Sequence, residues 1–161
     1  MILVECKPDK ELVKMLISKK IDLKKITHGR NKSEIIKMLI KRGEKYKIGI
    51  IDEDPGGTVP RVFNKYQLVK KYNIDVDEYR ISASNNVLLI LKPRLEEWFL
   101  KISKKSKLRL KDYKLPEDPD RLHKIINANL KKFEKALRKL LELKSKELLK
   151  IKEILGGNYG G

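Results

Sequence analysis

An α/β fold built on a mainly parallel sheet is the architecture predicted for residues 1–100. Two observations predict it. Short apolar runs recur, at Ile2-Leu3-Val4, Ile48-Gly49-Ile50-Ile51 and Val87-Leu88-Leu89-Ile90-Leu91, and an acid follows each within a few residues. Unbroken apolar runs of this length read as strands buried on both faces. Between them lie segments whose apolar residues recur at helical spacing, and strand–helix–strand order implies parallel neighbours with covering helices on both faces.

Residues 1–5 read as the first strand. A helix is expected from Asp9 to Lys19, with Leu12, Val13, Leu16 and Ile17 on one face. Residues 24–27 make a short second strand. His28 to Glu34 leads into a helix carrying Ile35, Ile36, Leu39 and Ile40, with Gly43 as its stop. Residues 47–51 form the third strand. A further helix is expected near Val62 to Tyr72, after Pro60. Residues 79–83 and 87–91 read as strands joined through a turn at Asn85-Asn86.

The regime changes after about residue 100. Residues 101–117 read as a basic connector, and Asp118-Pro119-Asp120 is a helix start with a capping acid and Pro in the first turn. From 118 to 155 one amphipathic pattern runs through Leu122, Ile126, Leu130, Phe133, Leu137, Leu140, Leu148, Ile151 and Leu155. That length exceeds an ordinary globular helix. The segment either folds into a hairpin or projects to meet a partner protein or a second copy in a homodimer. Residues 156–161 are expected to be a loose tail.

Composition narrows the function classes. In 161 residues, 39 Lys and Arg against 22 Asp and Glu give a formal net charge of +17, which favours polyanionic partners, nucleic acid first among them. Lys, Glu and Ile dominate and Gln67 is the only glutamine, a bias also typical of hyperthermophile proteins, but that bias raises both charge signs together. The longest apolar runs are far short of the roughly 20 residues that span a bilayer, so no membrane partner is expected. The single Cys6 cannot form an internal disulfide, and Met1 leads straight into a strand-like segment; both fit a cytoplasmic protein.

The acids at the strand ends are the candidate chemistry. Glu5 is followed by Asp9; the third strand runs into Asp52-Glu53-Asp54-Pro55-Gly56-Gly57; the last runs into Lys92-Pro93-Arg94-Leu95-Glu96-Glu97-Trp98. The C-terminal edge of such a sheet is where ligands bind, and clustered hard oxygens suit Mg²⁺. In extended backbone, Asp52 and Asp54 are expected to share a side while Glu53 faces away. Each piece has a plainer reading: an acidic turn, a salt-bridged strand end, acids favouring a helix N-terminus. His28 reads as a polar loop residue, Trp98 as core and Cys6 as a small buried hydrophobe.

In order, Val4-Glu5-Cys6-Lys7-Pro8-Asp9, His28-Gly29-Arg30-Asn31-Lys32, Ile51-Asp52-Glu53-Asp54 and Pro93-Arg94-Leu95-Glu96-Glu97-Trp98 resemble the motifs of the topoisomerase–primase (Toprim) domain. These are a glutamate closing the first strand, a glycine after the second and a D-x-D closing the third. The Glu5-x-x-x-Asp9 spacing and Glu96 are closer to the Toprim nucleases of the overcoming-lysogenization-defect type and to small stand-alone prokaryotic Toprim proteins. The resemblance covers residues 1–100. It departs from the family at Cys6, where glycine is usual, and no G-x-x-x-x-G-K-[ST] of an ATPase is present.

The resemblance implies a magnesium-dependent nuclease acting on DNA or RNA, with Mn²⁺ as an alternative ion. It implies Glu5 as metal ligand or general base, Asp52 and Asp54 as metal ligands, and Asp9 and Glu96 at a second metal position. Lys92 is placed among the catalytic residues as a neutraliser of phosphate charge. Lys7, Arg30, Lys32 and Arg94 are candidate nucleic-acid contacts; a solvated helix entrance and ordinary surface bases are their plainer readings. Two other functions compete: a non-catalytic nucleic-acid-binding accessory module, and an interaction subunit of a larger processing complex.

Overall fold

The apolar runs form strands in which three to five consecutive residues are buried. The computed structural model describes residues 1–17, 26–29, 31–41, 46–57, 61–81 and 84–157. The expected helix end at Lys19, the strand start at 24–25, the helix stop at Gly43, Arg30 and the last four residues lie outside them. Among the described residues, no helix is long and apolar enough to cross a membrane.

The chain divides into two units, Met1–Cys6 with Lys24–Leu95, and Lys7–Leu23 with Glu96–Gly161. The first holds a six-stranded sheet: β1 (Ile2–Val4), β2 (Ile26–His28), β3 (Ile48–Asp52), β4 (Tyr66–Tyr72), β5 (Val76–Ile81) and β6 (Val87–Leu91). Their order is β2-β1-β3-β6-β5-β4; the first four are mutually parallel, and β5 and β4 join antiparallel. The fold class is therefore α/β with a mixed, mostly parallel sheet, as expected. Helix α2 (Lys32–Ile40) lays Ile35, Ile36 and Leu39 among Leu3, Ile51, Leu88 and Ile90, all buried. Gly49 in β3 allows this approach: a Cβ there would come within 2.7 Å of the Leu39 Cδ1.

One element differs in kind. The helix expected over 62–72 is a 3₁₀ turn (Arg61–Lys65) followed by β4, which forms a hairpin with β5. Val62, Tyr66 and Val69 carry helical spacing, yet within β4 only Tyr66 is fully buried. The strand is fixed by pairing to β5 through the turn at 73–75, where Asp75 takes φ 56°. A three-residue hairpin loop ending in a left-handed residue is a recognised form.

The second unit is helical. It contains α1 (Lys7–Leu16), most of α3 (Leu95–Lys105), a 3₁₀ turn (Leu110–Tyr113), and α4 (Pro119–Ala128), α5 (Leu130–Glu142) and α6 (Lys146–Gly157). The expected connector over 101–117 thus begins as the end of α3. The long amphipathic pattern is broken twice, at Asn129 and around Lys144. Lys144 adopts φ 56°, its amide donating to the Leu141 carbonyl (3.0 Å) while the Ser145 amide donates to Leu140 (3.0 Å). This closes a helix as glycine usually does. The stripe is covered within the unit: Leu122, Ile126, Phe133, Leu137, Leu140, Leu148, Ile151 and Leu155 are all buried.

Candidate active site

Parallel pairing of β1 with β3, Val4 against Ile50, brings Glu5 beside the end of β3. The Asp52 amide donates to Glu5 Oε2 at 2.9 Å. Asp52 Oδ1 in turn accepts from the Leu95 amide at 3.0 Å, so this carboxylate also satisfies an orphan N–H at the start of α3. Beyond Asp52 the strand is over. The Glu53 amide donates to the Leu91 carbonyl (2.8 Å) and that of Asp54 to Pro93 (3.1 Å), and Asp54 sits in left-handed backbone at φ 51°. The expected strand alternation therefore does not extend to Asp54; the turn orients it instead.

Asp54 is met by Lys32, from the first turn of α2. The Lys32 Nζ reaches Asp54 Oδ2 at 3.1 Å and the Glu53 carbonyl at 3.0 Å. Asn31 caps this helix, its side chain accepting from the Glu34 amide at 3.0 Å. Gly29 precedes it with its amide on the Val4 carbonyl (2.8 Å), and a Cβ there would strike Ile35 Cγ1 at 2.7 Å. The glycine after the second strand is thus a steric requirement of seating α2 next to β1.

Burial pushes the Glu5 carboxyl above its ordinary range; the Asp52 amide and the Lys32 ammonium act against this, and the charge of Asp54 adds to it. Glu5, Asp52, Asp54 and Lys32 accordingly form one electrostatic group at the C-terminal edge of β1 and β3. Next to it is a second group that includes a residue sequence reasoning missed. Lys92 Nζ lies 2.5 Å from Oδ2 of Asp77, which is buried in β5, and 3.9 Å from Glu53 Oε1. The hydrogen bond to Asp77 holds the Lys92 pKa above its usual value, against a lowering by desolvation. Lys92 is thus a fixed cation and not a base. An acid flanked by Val76 and Glu78 in a strand gave no sign that it faces inward.

Asp9 and Glu96 belong to the second unit, as does Lys7, exposed at the start of α1. Asp9 is buried in the first turn of α1. Glu96, 4% exposed, contacts His123 of α4, Oε1 to Nδ1 at 2.7 Å. His123 was also missed, being separated by 27 residues and placed by tertiary packing alone. Losing the ring would strand a buried carboxylate oxygen. His123→Ala should therefore lower stability by about 1–3 kcal/mol in urea denaturation; an unchanged midpoint would show that the contact carries no weight. Arg94 is half-buried beside β6.

The donors are hard oxygens, which suit Mg²⁺. Among the described residues no group of three or more His, Cys, Asp and Glu side chains is arranged to hold a metal ion. Mg²⁺ commonly takes one or two carboxylates and keeps several waters, and Glu5 with Asp52 fit that pattern. Compared with known proteins, the chain matches no family model, no curated protein and no solved structure.

Proposed function

We propose that the chain is a magnesium-dependent nuclease of the Toprim type, hydrolysing phosphodiester bonds in DNA or RNA, with Glu5 and Asp52 as the carboxylates that hold the ion. The observation that carries this reading is the half-buried Glu5 beside Asp52 and Asp54, with Lys32 paired to Asp54 and offsetting part of the charge. A carboxyl whose ionisation is disfavoured by burial beside other acids is a mark of functional sites. A bound Mg²⁺ would neutralise the scissile phosphate and activate water.

Around it the chain's own residues have distinct parts. Glu5, whose carboxyl burial makes a stronger base than a free glutamate, is the candidate general base. Asp54 and its ion-pair partner Lys32 can exchange that pair for ion and phosphate. Lys92, held cationic by Asp77, neutralises phosphate charge without moving a proton. Lys7, Arg30 and Arg94 remain proposed strand contacts. The assignment of Asp9 and Glu96 to a second metal position rests on the resemblance alone. A non-catalytic nucleic-acid-binding module is the second reading, favoured because no three metal-ligating side chains converge among the described residues.

The deciding measurement is cleavage of a panel of single- and double-stranded DNA and RNA with Mg²⁺ or Mn²⁺. No cleavage together with retained binding would select the second reading. A stability readout accompanies it. Because the Glu5 pKa is raised on folding, its favourable contribution is complete below the unfolded value near 4.5 and is lost as pH rises through the folded value. At neutral pH, Glu5→Gln should therefore be at least as stable as the parent without Mg²⁺. Added Mg²⁺ should raise the Tm of the parent and not of the variant, since only a binding-competent folded state gains from the ion. Equal Mg²⁺ shifts in both would remove Glu5 from the site.

A further inference from the structure

The second unit carries a cavity of about 630 Å³ lined by none of the candidate site residues described above. Its charged lining is Lys104, Lys107, Arg109 and Lys111, with Glu117 as the one acid. Ser103 lines it as well. That serine is 1% exposed, and its Oγ has no hydrogen-bond partner among the described residues. Leucine side chains complete the wall.

Lysines in the last turn of α3 have an ordinary use, since cations favour a helix C-terminus. Lys105 follows another ordinary pattern, pairing with Glu147 at 3.0 Å. Neither use accounts for the cavity. Lys104, Lys107 and Lys111 make no ion pair among the described residues, and Arg109 meets only the exposed Asp112, at 3.8 Å. Lys107 takes φ 55° to end α3, its amide on the Lys104 carbonyl (3.1 Å) and the Leu108 amide on Ser103 (2.9 Å). This turn folds the chain back so that residues 107–111 stand beside Ser103 and Lys104. Several uncompensated cations, a buried hydroxyl with nothing to bond and an apolar wall, in a volume within the ligand-pocket range of about 300–1,000 Å³, match a phosphorylated ligand with an apolar sugar or base face.

We propose that this cavity binds phosphate groups of a nucleic-acid strand, with Ser103 donating to a phosphate oxygen and Lys104, Lys107 and Lys111 supplying the charge. The proposal takes from the preceding subsection only that nucleic acid is the ligand, and it does not depend on cleavage.

The test is fluorescence anisotropy of the full chain, in EDTA, with a labelled single-stranded oligonucleotide carrying either a 5′-phosphate or a 5′-hydroxyl. Lys107→Gln with Lys111→Gln should weaken binding roughly tenfold and flatten the log–log salt slope by about 1.4, two contacts at about 0.7 each. Lys131→Gln with Lys135→Gln removes the same charge from exposed positions on α5 outside the cavity; it should cost less than about twofold. Ser103→Ala should weaken binding about threefold with the slope unchanged, because a neutral donor releases no counterion. Preference for the 5′-phosphate would assign the cavity to a strand end; equal affinity would assign it to the backbone. Equal losses in the two lysine pairs, or none with Ser103→Ala, would overturn the cavity while leaving nucleic-acid binding intact. Failure of the parent chain to bind either strand would overturn both.

Discussion

Replacing Asp52 with Asn should leave the fold intact and lower Mg²⁺-dependent cleavage by about 10²–10³-fold. The expected size follows from the charge stabilisation a bound ion supplies, several kcal/mol, at 1.36 kcal/mol per tenfold. The choice of Asn matters because Asp52 also has a structural job beside the proposed one. Its Oδ1 accepts from the Leu95 amide at 3.0 Å, and Asn keeps an acceptor oxygen at that position while losing the charge. Asp52→Ala would lose both, with about 1 kcal/mol of helix-start stability added to the catalytic loss. Measuring kcat and urea midpoints for the two variants separates the roles. Cleavage by Asp52→Asn within a few-fold of the parent would remove Asp52 from the ion and, with it, the nuclease assignment.

The strand ends were legible because their determinants are local. Ile48 to Ile51 is a short unbroken apolar run, so its burial on both faces follows from composition, and the acid after it must fall at the sheet edge. Gly29 was singled out only through the resemblance, as the glycine after the second strand; its steric role shows in the packing against Ile35. What was not legible depends on partners distant in sequence. Asp77 is an acid in a strand until the end of β6 puts Lys92 beside it. His123 lies on a helix whose heptad-like pattern shows only which face is buried, not that the ring reaches Glu96. β4 was read as a helix because only Tyr66 of its side chains is fully buried, so alternation had nothing to display. In the C-terminal segment the hairpin alternative anticipated the break around Lys144, while the one at Asn129 escaped notice. Lysine occupies the left-handed closing position at residues 107, 114 and 144, where a rule built on glycine finds nothing.

Those breaks decide the largest expected stability effect. Phe133 on α5 is fully buried and meets Phe99 of α3 edge to face, ring centroids 5.0 Å apart at 68°. Phe133→Ala should cost about 3–5 kcal/mol, combining lost burial, the cavity left behind and the aromatic contact. Leu149→Ala, 42% exposed on α6, should stay within about 0.5 kcal/mol and serves as the control. The same packing sets the outcome of ending the chain after Pro116. Such a truncation removes α4 to α6, and α5 is the element that α1 packs against within the second unit, where Leu12, Val13 and Leu16 are buried. The truncated protein should lose the structure of that unit, read as lost helical circular dichroism and collapsed amide dispersion. An interaction helix, by contrast, would leave a folded remainder and change only the mass in light scattering. A truncated chain that keeps its amide dispersion, or Phe133→Ala with the urea midpoint of the parent, would show that the C-terminal stripe is covered by something other than its own unit.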